Sequence, residues 1–382
     1  MGSEILHWLD VAWTNGRVYG PPFLIVLTVL VFVHELGHYL VARWNKVRVE
    51  VFSIGFGPEL FGWTDRSGTR WKFSAIPLGG YVKMFGDSDA ASTPGQELNT
   101  MTDAEKAVAF HHKRLGQRAA IVAAGPFANF LFAIVVKAIL FATVGQAFTP
   151  AMVGDVVAGS AAEKAGVKAG DLIVAINDRQ IRSFEEVQQI VSFNAGTPLA
   201  MTVKRGDSNV SLEATPQVVD QKDRFGNNYR LGRLGITRPV GESDYVKRDP
   251  VSAIWWATYD TYNFSIGTLQ GAWQVISGLR SADELGGPIR IMQMTGEVGQ
   301  LGILPLIQLT IFLSINLGLI NLFPIPILDG GHLLFYAAEA LRGRPLGPRA
   351  QEYGFRLGLA LVVMLMLFVT WNDVRQLLGL GT

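Results

Sequence analysis

Apolar residues fall along this chain in four long runs, at about 21–43, 119–145, 302–323 and 356–371, with polar stretches between them. A helix needs roughly 20 apolar residues to cross a bilayer core, so the pattern predicts four transmembrane helices, the fourth the shortest. Glu4, Asp10 and Arg17 precede the first run in place of a basic leader, and no small-residue cleavage site follows it, which reads as a retained span. Lys and Arg number one in residues 1–20, eleven in 42–118, four in 324–356 and one in 372–382. Positive charge gathers on the cytoplasmic side of short connections. Both termini are therefore expected to face away from the cytoplasm, and the end of the first run to face it.

Between the second and third runs the period changes. MVGDVV, SAAEKAGVKAGD, LIVAIND, SFEEVQQIVSF, PLAMTVKR, the turn GDSN and VSLEAT alternate strand-like runs with turn signals. This predicts a compact soluble domain of about 90 residues on the non-cytoplasmic side. From 250 to 300 the texture shifts again, mixing Trp and Tyr with isolated polar groups. Such rings favour the headgroup level, so helices lying in the interface are expected, with a helical cover over the inserted domain as the alternative. Residues 87–103 read as a polar loop.

Composition agrees with a membrane protein: 49% of residues are hydrophobic and 17% charged. A net charge of +1 and the absence of a basic run argue against nucleic acid as a partner. With no Cys in the chain, any metal must be held by His, Asp or Glu.

One stretch of the first run carries chemistry. HELGH places His34, Glu35 and His38 inside an apolar helix. Positions i and i+4 share a helix face, so two imidazoles can meet one metal ion while Glu35 projects toward a bound water, the arithmetic of a zinc hydrolase. Counting about 1.5 Å per residue from Pro21 puts His34 about 20 Å into a core about 30 Å thick, where ionisable groups are costly and by default functional. A catalytic zinc takes three protein ligands and keeps one position for water. Asp329, in NLFPIPILDGGH, is the candidate for the third: two prolines forbid a regular helix there, and irregular backbone at membrane depth is tolerated where it lines a cavity. An Asp-Gly turn is the alternative reading.

Together, HELGH in the first span, AGPFAN in the second and NLFPIPILDGG after the third resemble the site-2 protease family of intramembrane zinc metalloproteases. AGVKAGDLIVAINDRQI, residues 165–181, resembles the signature of bacterial protease PDZ domains, a Gly turn before a strand being the plainer reading. One such domain between spans two and three is similar to the RseP/MmpA-type group, differing from members that carry two in tandem. The resemblance implies a polytopic α-helical membrane protein with four transmembrane helices, a membrane-associated β-hairpin and one inserted α+β PDZ domain. Its parts are expected at 1–145 (two spans, HExxH and hairpin), 146–240 (PDZ), 241–300 (interfacial helices) and 301–382 (two spans and LDG).

Carried over residue by residue, the resemblance implies one Zn2+ per chain on His34, His38 and Asp329, with Glu35 as catalytic glutamate. IPLGGYVKM looks like the family's hairpin, whose edge at Gly79, Gly80, Tyr81, Val82, Lys83 and Met84 pairs with an unwound substrate; read from the residues it is a Gly-Gly turn between β-formers, and an ordinary hairpin is the alternative. Asn316 and Asn321 match asparagines near the substrate cleft. With Asn129 they are polar groups in apolar spans, for which interhelical packing is the close alternative to substrate contact. The implied partners are single-span membrane proteins such as an anti-sigma factor, cut first outside, the lipid bilayer, and a peptide or C-terminus at the PDZ domain. The implied place is the bacterial inner membrane, with the active site toward the cytoplasm and the PDZ domain and termini outside. Two other classes are compatible with parts of the pattern: a PDZ adaptor with a structural metal, which has no need of Glu35, and a zinc transporter, which would want polar groups along the spans.

Overall fold

The computed structural model describes residues 2–87, 100–222, 228–238, 244–278, 282 and 285–377. Residues 88–99 of the polar loop read from the sequence lie outside these. Along the chain run α1 (Gly2–Trp44), β1 (Val49–Thr64), β2 (Arg70–Met84), α2 (Asp103–Val108), α3 (Leu115–Thr143), β3 (Gln146–Phe148), α4 (Ala161–Lys164), β4 (Leu172–Ile176), β5 (Arg179–Gln180) and α5 (Phe184–Phe193). There follow β6 (Leu199–Arg205), β7 (Ser208–Ala214), β8 (Gln217–Lys222), β9 (Asn228–Arg233), β10 (Asp244–Val246), α6 (Pro250–Ile276), α7 (Pro288–Gln300), α8 (Ile303–Leu322), α9 (Asp329–Arg342) and α10 (Pro348–Leu377). They form two compact units, Met1–Val135 with Gly287–Thr370, and Val136–Gly286 with Trp371–Thr382.

Among the described residues, four helices are long and apolar enough to cross a membrane: Gly16–Trp44, Leu115–Thr143, Ile303–Leu322 and Arg349–Gln376. The fourth is longer than the apolar run at 356–371 suggested, and the third is the shortest. A polar turn extends α10 at its start, where Glu352 and Arg356 pair at i,i+4. In the first unit α1 and α3 approach closely. A Cβ on Gly37 would stand 2.7 Å from that of Ala128, so a glycine is required where the two helices touch.

The hairpin of β1 and β2 turns at Asp65–Thr69, where Asp65 accepts hydrogen bonds from the Ser67 and Thr69 amides and from Trp71 Nε1 at 2.8, 3.0 and 2.9 Å. Gly79 and Gly80, read from the sequence as its turn, lie instead where the hairpin bends back on itself. Gly55, Gly57 and Gly79 carry φ of +91°, +86° and +136° there, values that glycine alone adopts freely. As a result Val51 to Ile54 meet Lys83 to Gly80 on one side and Arg70 to Phe73 on the other. Stacking of Phe52 on Trp71, with ring centres 4.2 Å apart, fixes the fold-back, and Phe52 is fully buried. The stretch 80–84 is left with β1 on one side only, and no strand covers its other side among the described residues.

The second unit holds an antiparallel sheet in the order β5-β4-β6-β7. Its inward residues alternate with exposed ones as a half-buried strand requires: Leu199, Met201 and Val203 are buried between more exposed neighbours. With Ile173, Ile176, Val187 and Val191 they form the core. Ser183 caps α5 by accepting from the Glu186 amide. MVGDVV, expected as a strand, makes only isolated bridges, Met152 to Leu172 and Val156 to Ile236. Its amides are shared between two partners, Val153 donating to the Asp171 carbonyl and Gly154 to that of Thr237, so no continuous ladder forms. Helix α6, capped by Asp249, is fastened to this domain by the Arg182 guanidinium, 5.2 Å from the ring centres of both Trp256 and Tyr259. Asp260 pairs with Lys137 of α3 at 2.5 Å.

Candidate metal centre

The centre is built from three helices of the first unit. One turn of α1 presents His34 and His38, and the N-terminus of α9 presents Asp329, where the helix dipole favours a carboxylate. Helix α3 lies beneath the imidazoles at its Gly125–Pro126 step. A Cβ on Gly125 would stand 2.9 Å from His34 Cε1 and collide with the His38 ring, so this position must be glycine for the two side chains to fit.

His34 Nε2 lies 3.2 Å from His38 Nε2 and 3.1 Å from Asp329 Oδ2, and His38 Nε2 is 3.5 Å from the same oxygen. Ligands at about 2.0–2.1 Å around a tetrahedral zinc are separated by roughly 3.3 Å, so the three atoms stand at the spacing such an ion imposes. Asp329 Oδ2 is buried and has no aligned hydrogen-bond partner, as suits an atom aimed at a shared cation rather than at a neighbour's proton. The donor set of two imidazoles and a carboxylate suits zinc. Behind the ligands, His38 Nδ1 donates to the Ile121 carbonyl at 2.9 Å, and Asn129 Nδ2 lies 3.1 Å from His34 Nδ1. Such outer contacts orient ligating histidines.

Glu35, Gly80, Tyr81, Val82, Met84 and Asn321 line, with the three ligand candidates, one cavity of about 200 Å3. The 80–84 edge touches the glutamate: a Cβ on Gly80 would lie 3.3 Å from Glu35 Cγ. Gly79, Lys83 and Asn316 are not among the lining residues. Lys83 pairs with Glu50 at 3.2 Å, Gly79 packs beside the Phe56 ring, and Asn316 donates to the Phe312 carbonyl of its own helix at 2.8 Å. Three further positions bear on the geometry of the centre. Asn129, one of the polar groups in the apolar spans, faces His34. His332 follows Asp329 by one helical turn and lines the cavity, a spacing the sequence carried. Ile327 holds φ at +98°, a strained conformation for a β-branched residue, costing about 1–3 kcal/mol just ahead of Asp329.

Comparison with known proteins bears on the same residues. The model of peptidase family M50 matches residues 22–365. A Rhizobium meliloti protein provisionally named a zinc metalloprotease is 48% identical over 94% of this chain and 97% of its own. The metalloprotease MmpA of Caulobacter vibrioides is 40% identical over 92% of this chain and 94% of its own. A solved PDZ domain of an SdrC-like protein from Listeria monocytogenes is 22% identical over 24% of this chain and 88% of its own, with a TM-score of 0.19 that bears no weight on the fold. The HELGH and LDGG segments whose side chains converge here both lie within the matched span, and this multi-pass membrane protein belongs to peptidase family M50, the site-2 protease family of zinc metalloproteases.

Proposed function

We propose that this chain is an intramembrane endopeptidase for single-span membrane proteins, with His34, His38 and Asp329 holding one zinc ion and Glu35 acting as general base. The observation that carries it is the set of ligand-atom separations, 3.1, 3.2 and 3.5 Å, beside a glutamate in the same cavity. Zinc bound there would supply a Lewis acid for the peptide carbonyl and a water ionising near neutrality. Glu35 takes the proton of the attacking water on a carboxylate oxygen as the new C–O bond forms, and returns it to the leaving nitrogen as the peptide C–N bond then breaks. A purely structural metal has no use for that acid.

A substrate helix hides its carbonyls in i to i+4 hydrogen bonds and must unwind before attack. The uncovered side of residues 80–84, next to Glu35, would hold the extended segment by strand addition. The family resemblance suggests a substrate such as an anti-sigma factor, trimmed first outside a bacterial inner membrane. By the distribution of Lys and Arg, the site faces the cytoplasm and the domain at 150–240 lies outside. That domain is a PDZ domain in this reading, one that takes peptide ends or excludes untrimmed substrates. Helix α6 lies at the lipid headgroups, its Val251, Trp255, Trp273 and Ile276 being 78, 63, 65 and 77% exposed.

The test is co-expression of candidate single-span proteins with wild type and with Glu35→Gln. Fragments that depend on Glu35, with zinc still bound by the variant, are expected. Undiminished cleavage by purified Glu35→Gln protein would end the assignment.

A further inference from the structure

We propose that the Asn129 amide is a positioning group for His34: in the zinc-loaded protein its carbonyl oxygen accepts the Nδ1 proton of the ring, which leaves the Nε2 lone pair for the metal. The proposal rests on the ligand reading above and adds a residue that no ligand set contains.

A neutral imidazole carries one proton, so a ring that ligates through Nε2 must carry it on Nδ1. For His38 this is already fixed. Its Nδ1 lies 2.9 Å from the Ile121 carbonyl, which can only accept, so the proton is there and Nε2 is a lone pair. His34 is treated differently. Its Nδ1 lies 3.1 Å from Asn129 Nδ2, an atom that can only donate, and this pairing sends the ring proton to Nε2. Nε2 is the atom 3.1 Å from Asp329 and 3.2 Å from His38, so the proton would stand where the cation is shared.

The amide can remove that conflict without moving anything else. Its oxygen and nitrogen are alike in shape, and half a turn about the last torsion exchanges them. Asn129 Oδ1 is buried and has no hydrogen-bond partner, so it is available for the exchange. The turn replaces one unpartnered amide atom by the other, and the metal's demand for a lone pair decides between them. Bulk water does not reach Asn129, which is fully buried. The residue is also held from behind: Ser314 Oγ of α8 donates to its backbone carbonyl at 2.9 Å, fixing α3 between the helix that bears His34 and α8. One histidine is thus oriented by main chain, which substitution cannot remove, and the other by a single side chain.

The direct measurement is the tautomer of His34 in the zinc-loaded full-length chain in detergent, labelled with 15N-histidine and read by long-range proton–nitrogen correlation. Its signals are assigned by comparison with His34→Ala. A protonated Nδ1 with a metal-bound Nε2 is expected; a protonated Nε2 overturns the proposal. Zinc affinity, by competition with a chelator, supplies the second readout. Asn129→Leu should weaken zinc by about 10–100-fold. Asn129→Asp, whose carboxylate also accepts from Nδ1, should stay within about threefold of wild type, whereas a packing role would make the buried charge the more harmful change. Wild-type affinity in Asn129→Leu, or an Asn129→Asp as weak as Asn129→Leu, sinks the proposal. His34→Ala separates the two levels: undiminished zinc binding there refutes the ligand reading itself, while loss of zinc there with none in Asn129→Leu refutes only the role of Asn129.

Discussion

Two aspartates, a half-buried one in the first unit and a fully buried one in the second, have opposite surroundings. Asp171, 1% exposed just ahead of β4, has every need met: Arg205 donates to both its oxygens at 2.7 Å and the Lys168 amide adds a third bond at 2.9 Å. Asp329 Oδ2 lies 3.1 and 3.5 Å from two imidazole nitrogens and makes no aligned hydrogen bond. A structural carboxylate is satisfied by groups that fold with it. A carboxylate left incomplete in a pocket of nitrogen donors is arranged for something the chain does not itself supply. Asp171 is the more deeply buried of the two, so burial alone does not mark function; the state of the partners does.

The comparison breaks most sharply on the same substitution at both sites. Asp329→Asn should fold, yet lose zinc affinity and at least about 100-fold in cleavage, since a neutral amide is a weaker ligand. A fully metallated, active Asp329→Asn protein, by zinc stoichiometry and turnover, would return Asp329 to an ordinary turn. Asp171→Asn should keep zinc and cut peptides while its own domain loosens, visible as faster hydrogen exchange in β4 and β6. Equal loss of zinc in both variants would erase the distinction.

Next in size is Arg205→Met, which leaves Asp171 buried without its cation. The domain should unfold several degrees earlier, with zinc content unchanged. Acid should act at the same point. The hydrogen bonds from Arg205, then that from the Lys168 amide, hold the Asp171 carboxyl below the ordinary carboxylate range despite its burial. A depressed folded value gives stability that is complete above the unfolded value of about 3.9 and is lost as pH falls through the folded one. The protection factors of β4 and β6 amides, that is exchange corrected for its intrinsic pH dependence, should therefore hold steady down to the carboxylate range and fall below it, and Asp171→Asn should flatten that response.

The smallest effect is expected at Ile327, whose φ of +98° suits glycine. Ile327→Gly relieves the strain but frees more unfolded-state conformations, so global stability should move by no more than about 1 kcal/mol. Zinc should nonetheless dissociate a few-fold faster, because the turn that aims Asp329 is slackened. An unchanged off-rate would show that the strain serves packing alone.

What the sequence determined by itself was whatever rests on short-range periodicity. His34, Glu35 and His38 are separated by one turn of a helix, so their convergence follows from 3.6 residues per turn and needs no knowledge of the rest. The four apolar helices follow from composition over a window, and the alternation at Leu199, Met201 and Val203 from the pleat. The hairpin was legible as β-structure but misread in detail, because its fold-back depends on Phe52 meeting Trp71 and on glycines whose φ no local pattern states. The tertiary structure alone decided that Asp329 stands 3.1 Å from His34, that Gly125 makes room for both rings, and that Asn129 faces one imidazole while the Ile121 carbonyl faces the other. These are contacts between residues far apart in sequence. They exist only once helix packing has brought α1, α3 and α9 together, and no local propensity encodes which side chains will then be neighbours.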